Sequence, residues 1–114
     1  MYQAFMGKVR PGKEPEYIEA HRSVWPDLIR AMHSAGVQRE MVFMSANYLF
    51  VYLEADDIDS TNAKLAADPV NQRWDAFMEP LLEPSTSNSH ELFYPMIEVF
   101  RLETPAPCSE KEKP

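Results

Sequence analysis

The chain has 114 residues, 45% of them hydrophobic and 11% aromatic, which is enough for one compact domain and too short for two. A formal charge of −7 argues against nucleic acid or anionic membrane as partner, because phosphate binding needs a basic surface. The single cysteine, Cys108, lies in a polar tail, so no disulfide framework or cysteine metal cluster is expected, and no apolar run reaches membrane-spanning length.

The first residues lack the basic start and long apolar core of a signal peptide, and a cytoplasmic protein is expected. Residues 2–9 predict a strand: Phe5, Gly7 and Val9 alternate with Tyr2, Ala4 and Met6, so both faces are expected to be at least partly buried. Pro11-Gly12 marks a turn. A helix then begins near residues 13–16, where Pro15 and two acidic residues suit a first turn, and runs to about Ala35, with Gly36 as its stop. Pro26 cannot donate to the carbonyl of Arg22 and its ring clashes there, so the helix should kink or restart just after His21.

Tyr17, His21, Trp25 and Leu28 recur at helical spacing along this segment. A core-facing stripe is ordinarily Leu, Ile, Val and Ala. This one carries a phenol, an imidazole and an indole, and so suits a wall of a small-molecule pocket. The same spacing serves equally well for a histidine packed and satisfied in the core.

A hairpin follows, residues 37–44 and 48–55 around Ser45-Ala46-Asn47. Leu49, Val51 and Leu53 share one face of its second strand and suit packing beneath helices. Tyr48, Phe50 and Tyr52 share the other, which suits a dimer interface or a sugar platform. Glu40 shares a face with Val42 and Met44, an uneasy position for a charge if that face is buried. Residues 56–60 form an acidic connection and 61–67 a short helix. Asp68-Pro69 then caps and starts another helix with the stripe Val70, Trp74, Phe77 and Leu81, shortened by Pro80. Residues 83–90 read as a loop and 96–102 as a last strand. The domain is expected to span 1–103, followed by a polar tail, 104–114.

The order is β-α-β-β-α-β with extra helix before the final strand, which predicts an α+β, ferredoxin-like fold: a four-stranded antiparallel sheet with two helices on one face. Helices on one side leave the other uncovered, so a homodimer is expected in which two sheets pack together or close into a dimeric α+β barrel.

The chemistry is narrowed by what is missing. The three glycines form no phosphate loop, there is no Gly-x-Ser-x-Gly elbow, and His21, His33 and His90 are far apart, so no nucleotide, metal or other cofactor is expected. Acid–base chemistry in an aromatic pocket remains. An imidazole exchanges protons near neutral pH. Tyr17, one turn before His21, can hydrogen-bond a ligand hydroxyl. Trp74 can offer a stacking face to a pyranose ring or simply fill the core, and Arg73 and Asp75 read as surface charges.

The pattern Tyr17-x-x-x-His21-x-x-x-Trp25-Pro26-Asp27-Leu28, with Gln72-Arg73-Trp74 and Glu98-Val99-Phe100, resembles the L-rhamnose mutarotase family over about residues 2–102. The resemblance implies a ferredoxin-like fold paired as a dimeric α+β barrel, and cofactor-free interconversion of the α and β anomers of a 6-deoxy sugar. It makes His21 the proton donor, Tyr17 a sugar-contacting tyrosine and Trp74 the first of two consecutive tryptophans. The second of these is Asp75 here, and Glu40 stands where the family has a sugar-contacting tyrosine. The hairpin turn is shorter, and the loop carrying residues 85–94 is longer. Carboxylates bind sugar hydroxyls by charge-assisted hydrogen bonds, so two in place of aromatic contacts point to a different hydroxyl set, with L-fucose standing beside L-rhamnose as substrate. His21 is expected to protonate the ring oxygen and to act as base in the reverse direction. The complementary proton passes through Tyr17, Glu40, Asp75 or water. Two rivals are a non-catalytic sugar-binding or sensing dimer of the same fold, and a monooxygenase-like or haem-handling protein, since those also use ferredoxin-like dimers with a helical histidine.

Overall fold

The computed structural model describes residues 1–84 and 92–104; most of the expected 83–90 loop and the tail beyond 104 lie outside the described residues. Strand β1 (Tyr2–Val9) is central. It pairs antiparallel with β3 (Tyr48–Ala55), which pairs antiparallel with β2 (Val37–Ser45). The opposite edge of β1 is shared by two short strands, β4 (Leu82–Glu83) opposite Lys8 and Val9, and β5 (Phe93–Pro95) opposite Phe5, Met6 and Gly7. The strand order β2-β3-β1-β4 is the ferredoxin-like arrangement expected from the chain order.

Each crossover contains two helices rather than one. The first is divided into α1 (Glu14–Arg22) and α2 (Pro26–Ala35). The break is complete, and its cause is local. Trp25 sits in extended backbone at the N-cap, Pro26 occupies the first turn where no amide donor is needed, and the Trp25 carbonyl accepts from Leu28 and Ile29 at 3.0 and 3.1 Å. The second crossover holds α3 (Ile58–Ala67) and α4 (Pro69–Met78), followed by a 3-10 turn over Glu79–Leu81. Asp68 caps α4 as expected, accepting from the amides of Val70 and Asn71 at 2.8 and 3.1 Å. Helix α3 starts three residues before the sequence suggests, because Asp57 caps it through the Ser60 amide at 3.0 Å. No described helix is long and apolar enough to cross a membrane.

The helices cover the sheet face that carries Val9, Leu49 and Leu53. Val9 and Leu49 pack with Tyr17, Leu28, Trp74 and Met78, while Leu53 packs with Val37, Ala55 and Ile58. The other face carries Tyr48, Phe50 and Tyr52 with Met41 and Phe43, and it has no helix over it. Phe43 there is 55% exposed. Strand β2 carries a bulge between Val37 and Arg39, one residue more than β3 has opposite it. Strand side chains alternate between faces, so this extra residue reverses the alternation. Val37 and Glu40, an odd number of residues apart, therefore both point to the helix side, Glu40 opposite Leu53.

The last strand differs from expectation. Pairing with β1 covers Phe93–Pro95 and ends with the Met96 amide on the Ala4 carbonyl at 2.8 Å; residues 97–102 form no strand. The reason is geometric: an antiparallel neighbour advancing past Ala4 soon passes the beginning of β1 at Tyr2. Glu98 and Arg101 turn back to Tyr2, which donates its hydroxyl to Glu98 and lies 4.7 Å beneath the Arg101 guanidinium. Ile97, Val99, Phe100 and Leu102 are left 79–92% exposed.

Gly36 closes α2 in the left-handed region (φ 105°), and a Cβ there would lie 2.9 Å from Thr61 Oγ1, which is buried and donates to the Ala35 carbonyl at 2.8 Å. Gly36→Ala combines backbone strain with loss of that packing and should destabilise the domain by about 1–3 kcal/mol, measured by urea unfolding.

Candidate functional site

Between the sheet and the helices lies a cavity of about 720 Å³, open at one side, within the range of about 300–1,000 Å³ usual for small-molecule sites. All five residues singled out from the sequence border it: Tyr17 and His21 from α1, Glu40 from β2, and Trp74 and Asp75 from α4.

The Tyr17 and His21 rings stack at 4.3 Å between centroids, and His21 meets Trp74 edge-on at 5.4 Å. Their contact follows from a spacing of four residues on one helix. His21 Nδ1 lies 2.9 Å from the Tyr17 carbonyl oxygen, which can only accept. Nδ1 must therefore carry the hydrogen, so in the neutral ring Nε2 has the lone pair and is the nitrogen left for a ligand.

Of the helical stripe, Tyr17, His21 and Leu28 reach the cavity, whereas Trp25 stands behind it. Trp25 meets Trp74 edge-on at 5.0 Å and stacks on Phe77 at 5.5 Å. The break before Pro26 sends Trp25 off the line of the first two residues. Its role is to brace Trp74 from the rear.

The two carboxylates sit in different surroundings. Asp75 is drawn toward Asn71, whose Nδ2 lies 3.5 Å away and also donates to the Leu65 carbonyl at 3.0 Å, tying this part of α4 to the end of α3. Glu40 rises from the sheet among Val42, Leu53 and Met32, and among the described residues no cation or hydrogen-bond donor pairs with it. Solvent reaches both through the mouth of the cavity, yet the walls remove enough water to push both carboxyl groups above their usual range. Burial, reinforced by the charge of Glu40, pushes the Tyr17 phenol far above its normal value, so its hydroxyl keeps its proton at neutral pH.

Several bordering residues did not stand out in the sequence as parts of a site: Phe5, Met32, Asn62, Leu92 and Phe93. Gly7 offers a signal for one of them. A glycine within a strand often marks a close approach, and a Cβ at Gly7 would come within 2.7 Å of the Phe93 ring. Phe93 lies over Gly7 and closes that part of the cavity floor. Among the described residues no group of three or more His, Cys, Asp or Glu side chains is placed to hold a metal ion.

Comparison with known proteins finds relatives along most of the chain. A family model described as L-rhamnose mutarotase matches residues 3–102. An L-rhamnose mutarotase from Clostridium beijerinckii is 33% identical over 89 residues, covering 76% of this chain and 85% of its own. The crystal structure of an L-rhamnose mutarotase from Formosa agariphila superimposes with a TM-score of 0.74 at 27% identity, covering 90% of this chain and 99% of that one. The tetracenomycin F2 cyclase from Streptomyces glaucescens, at 20% identity and a TM-score of 0.65 over 93% of this chain and 99% of its own, shares the fold.

A carboxyl whose pKa is raised on folding holds its proton more tightly in the native state. Its contribution is most favourable below the unfolded value and is lost as pH rises through the folded value. Glu40→Gln and Asp75→Asn should therefore each raise the thermal midpoint at pH 7 to 8. The gain should disappear toward about pH 4 and below, where the wild-type carboxyls are protonated in both states, as differential scanning calorimetry across this range will show.

Proposed function

Because the chain belongs to the L-rhamnose mutarotase family, we propose that its cavity binds a 6-deoxyhexose and interconverts the α and β anomers by opening and reclosing the pyranose ring without a cofactor. The observation that carries this reading is the wall formed by Tyr17, His21 and Trp74, in which a backbone hydrogen bond sets which imidazole nitrogen faces a ligand. Trp74 supplies an apolar surface suited to the C–H face of a pyranose, and the Tyr17 hydroxyl, held protonated, donates to or accepts from a sugar hydroxyl. Glu40 and Asp75 are proposed as hydrogen-bonding partners of the sugar's oxygens. Their presence favours a sugar whose hydroxyls are arranged to reach them, with L-fucose standing beside L-rhamnose as candidate.

His21 is the proposed acid–base group. With Nδ1 committed to the Tyr17 carbonyl, the neutral ring enters the opening step as an acceptor at Nε2 and returns that proton as an acid on closing. The expectation from sequence had the two roles in the opposite order. A positioned group of this kind contributes on the order of 10² to 10⁴ in rate, a large gain for a reaction that also proceeds unaided in water.

The homodimer expected from the sequence is part of this proposal. The sheet face opposite the helices presents Phe43, Tyr48 and Met41 to solvent, and Val99 and Phe100 extend beyond the end of β1. A second copy offers the same apolar face and the same extended segment, so a two-fold pairing covers both sets at once. The cytoplasmic location expected from the sequence belongs to the same reading.

Two measurements test it. Saturation-transfer NMR with L-rhamnose, L-fucose and D-hexoses should show exchange between anomers above the spontaneous rate for a 6-deoxy sugar. His21→Ala should lose about 10²-fold or more of that exchange with its circular dichroism unchanged; undiminished exchange in the folded variant would remove His21 from the mechanism. In sedimentation equilibrium the wild type should run as a dimer, and Phe43→Glu combined with Phe100→Glu as a monomer. A monomeric wild type at micromolar concentration would remove the dimer from the proposal.

A further inference from the structure

We infer that Glu40 is the second catalytic residue: its carboxylic acid delivers a proton to the ring oxygen while His21 Nε2 takes one from the anomeric hydroxyl. This rests on the anomer-exchange reading above and assigns the half of the proton traffic that His21 leaves open.

The argument begins with what ring opening requires. The anomeric hydroxyl gives up a proton, and its electron pair becomes the second bond of the aldehyde. The bond between the anomeric carbon and the ring oxygen breaks with its pair going to that oxygen, which takes up a proton. After rotation about the bond between the first two carbons, the same steps run backwards and both protein groups regain their starting protons. One acceptor and one donor must therefore be ready together. His21 in its neutral form is the acceptor, because the Tyr17 carbonyl holds the hydrogen on Nδ1 and leaves the lone pair on Nε2.

Four other titratable side chains border the cavity; Glu79 belongs to the 3-10 turn beyond α4, past Trp74 and Asp75, and the other three are the candidates for donor. The Tyr17 phenol is pushed too high to give up its proton readily, and its ring lies flat against the imidazole. Asp75 is oriented by Asn71, which is itself fixed to the end of α3. Glu40 has neither restriction. The bulge in β2 turns it to the helix side, it projects from a sheet floor of Val42 and Leu53, and no described residue pairs with it. Glu40 comes from the sheet side of the cavity and the stacked Tyr17–His21 pair from the helix side, and its charge reaches Tyr17. A sugar seated against Trp74 would lie between base and acid. Loss of water around Glu40 favours the protonated carboxyl, the form needed at the start. The other ionisable groups around it are Asp75 and Glu79 within the cavity, and His33 and Arg39 in the shallow pocket on its far side.

The test measures exchange as a function of sugar concentration, which separates maximal rate from half-saturating concentration, in wild type, Glu40→Gln and Glu40→Ala. The glutamine keeps shape and hydrogen bonding but has no acid proton. We expect Glu40→Gln to lower the maximal rate about 10²-fold or more. The wild-type rate should fall on the alkaline side as Glu40 ionises, and this fall should be absent from the residual rate of the variant. Glu40→Ala should regain part of its rate on addition of formate, a small acid that fits the vacated space. A Glu40→Gln protein whose maximal rate stays within about threefold of wild type, or whose loss lies only in half-saturating concentration, overturns the assignment and makes Glu40 a binding residue. A wild type that exchanges no sugar of the panel above background overturns the functional reading beneath it instead.

Discussion

The hydrogen bond from His21 Nδ1 to the carbonyl of Tyr17, one turn back on the same helix, is the contact on which the site depends. It fixes the tautomer, and with the stacked phenol it fixes the plane of the ring. A histidine free to rotate would present either nitrogen, and the cavity would have no defined acceptor. The geometry needs only a helix with residues four apart, so the chemistry is anchored in the most regular part of the fold.

The rest of the site is arranged around this pair by two interruptions of regular structure. Pro26 ends one helix and begins the next, and the change of direction moves Trp25 out of the cavity and behind Trp74. The indole is then held between Trp25 and Phe77 on one side and His21 on the other. The bulge in β2 is the second interruption, since with the same residues in plain alternation from Val37 the carboxylate would face away from the helices. Both departures cost some local regularity, and both are repaid in the position of a functional side chain.

Much of this was legible in the sequence. The strand order, the Asp68 cap, the stop at Gly36 and the aliphatic and aromatic faces of β3 follow from periodicity and turn chemistry, and they appear as expected. The cavity position of Tyr17, His21 and Trp74 was likewise readable from helix spacing, whereas Glu40 and Asp75, the latter a surface charge by spacing alone, were singled out for the site only through the family pattern. What escaped depended on contacts between distant segments. Phe93 borders the cavity because an unpaired edge of β1 receives β5, and Leu92 precedes it there. The end of that strand was misplaced because apolar alternation in residues 96–102 reports a need for cover, not where a partner strand stops. The early start of α3 was missed because Asp57 lies in an acidic run, where a cap looks like any other surface charge.

The bulge has a wider implication for how such a site changes over time. Deleting Gln38 would remove the bulge and leave Val37 and Glu40 on the helix side, in simple alternation. Losing Met41 with the bulge flattened would instead set Arg39 opposite Leu53 and turn Glu40 to the other face, so that a guanidinium replaces a carboxylate without any substitution. Insertions and deletions in this strand are thus a route to new reactivity as direct as substitution. Relatives that differ by one residue here should be aligned by which way their side chains point, and not by residue type alone.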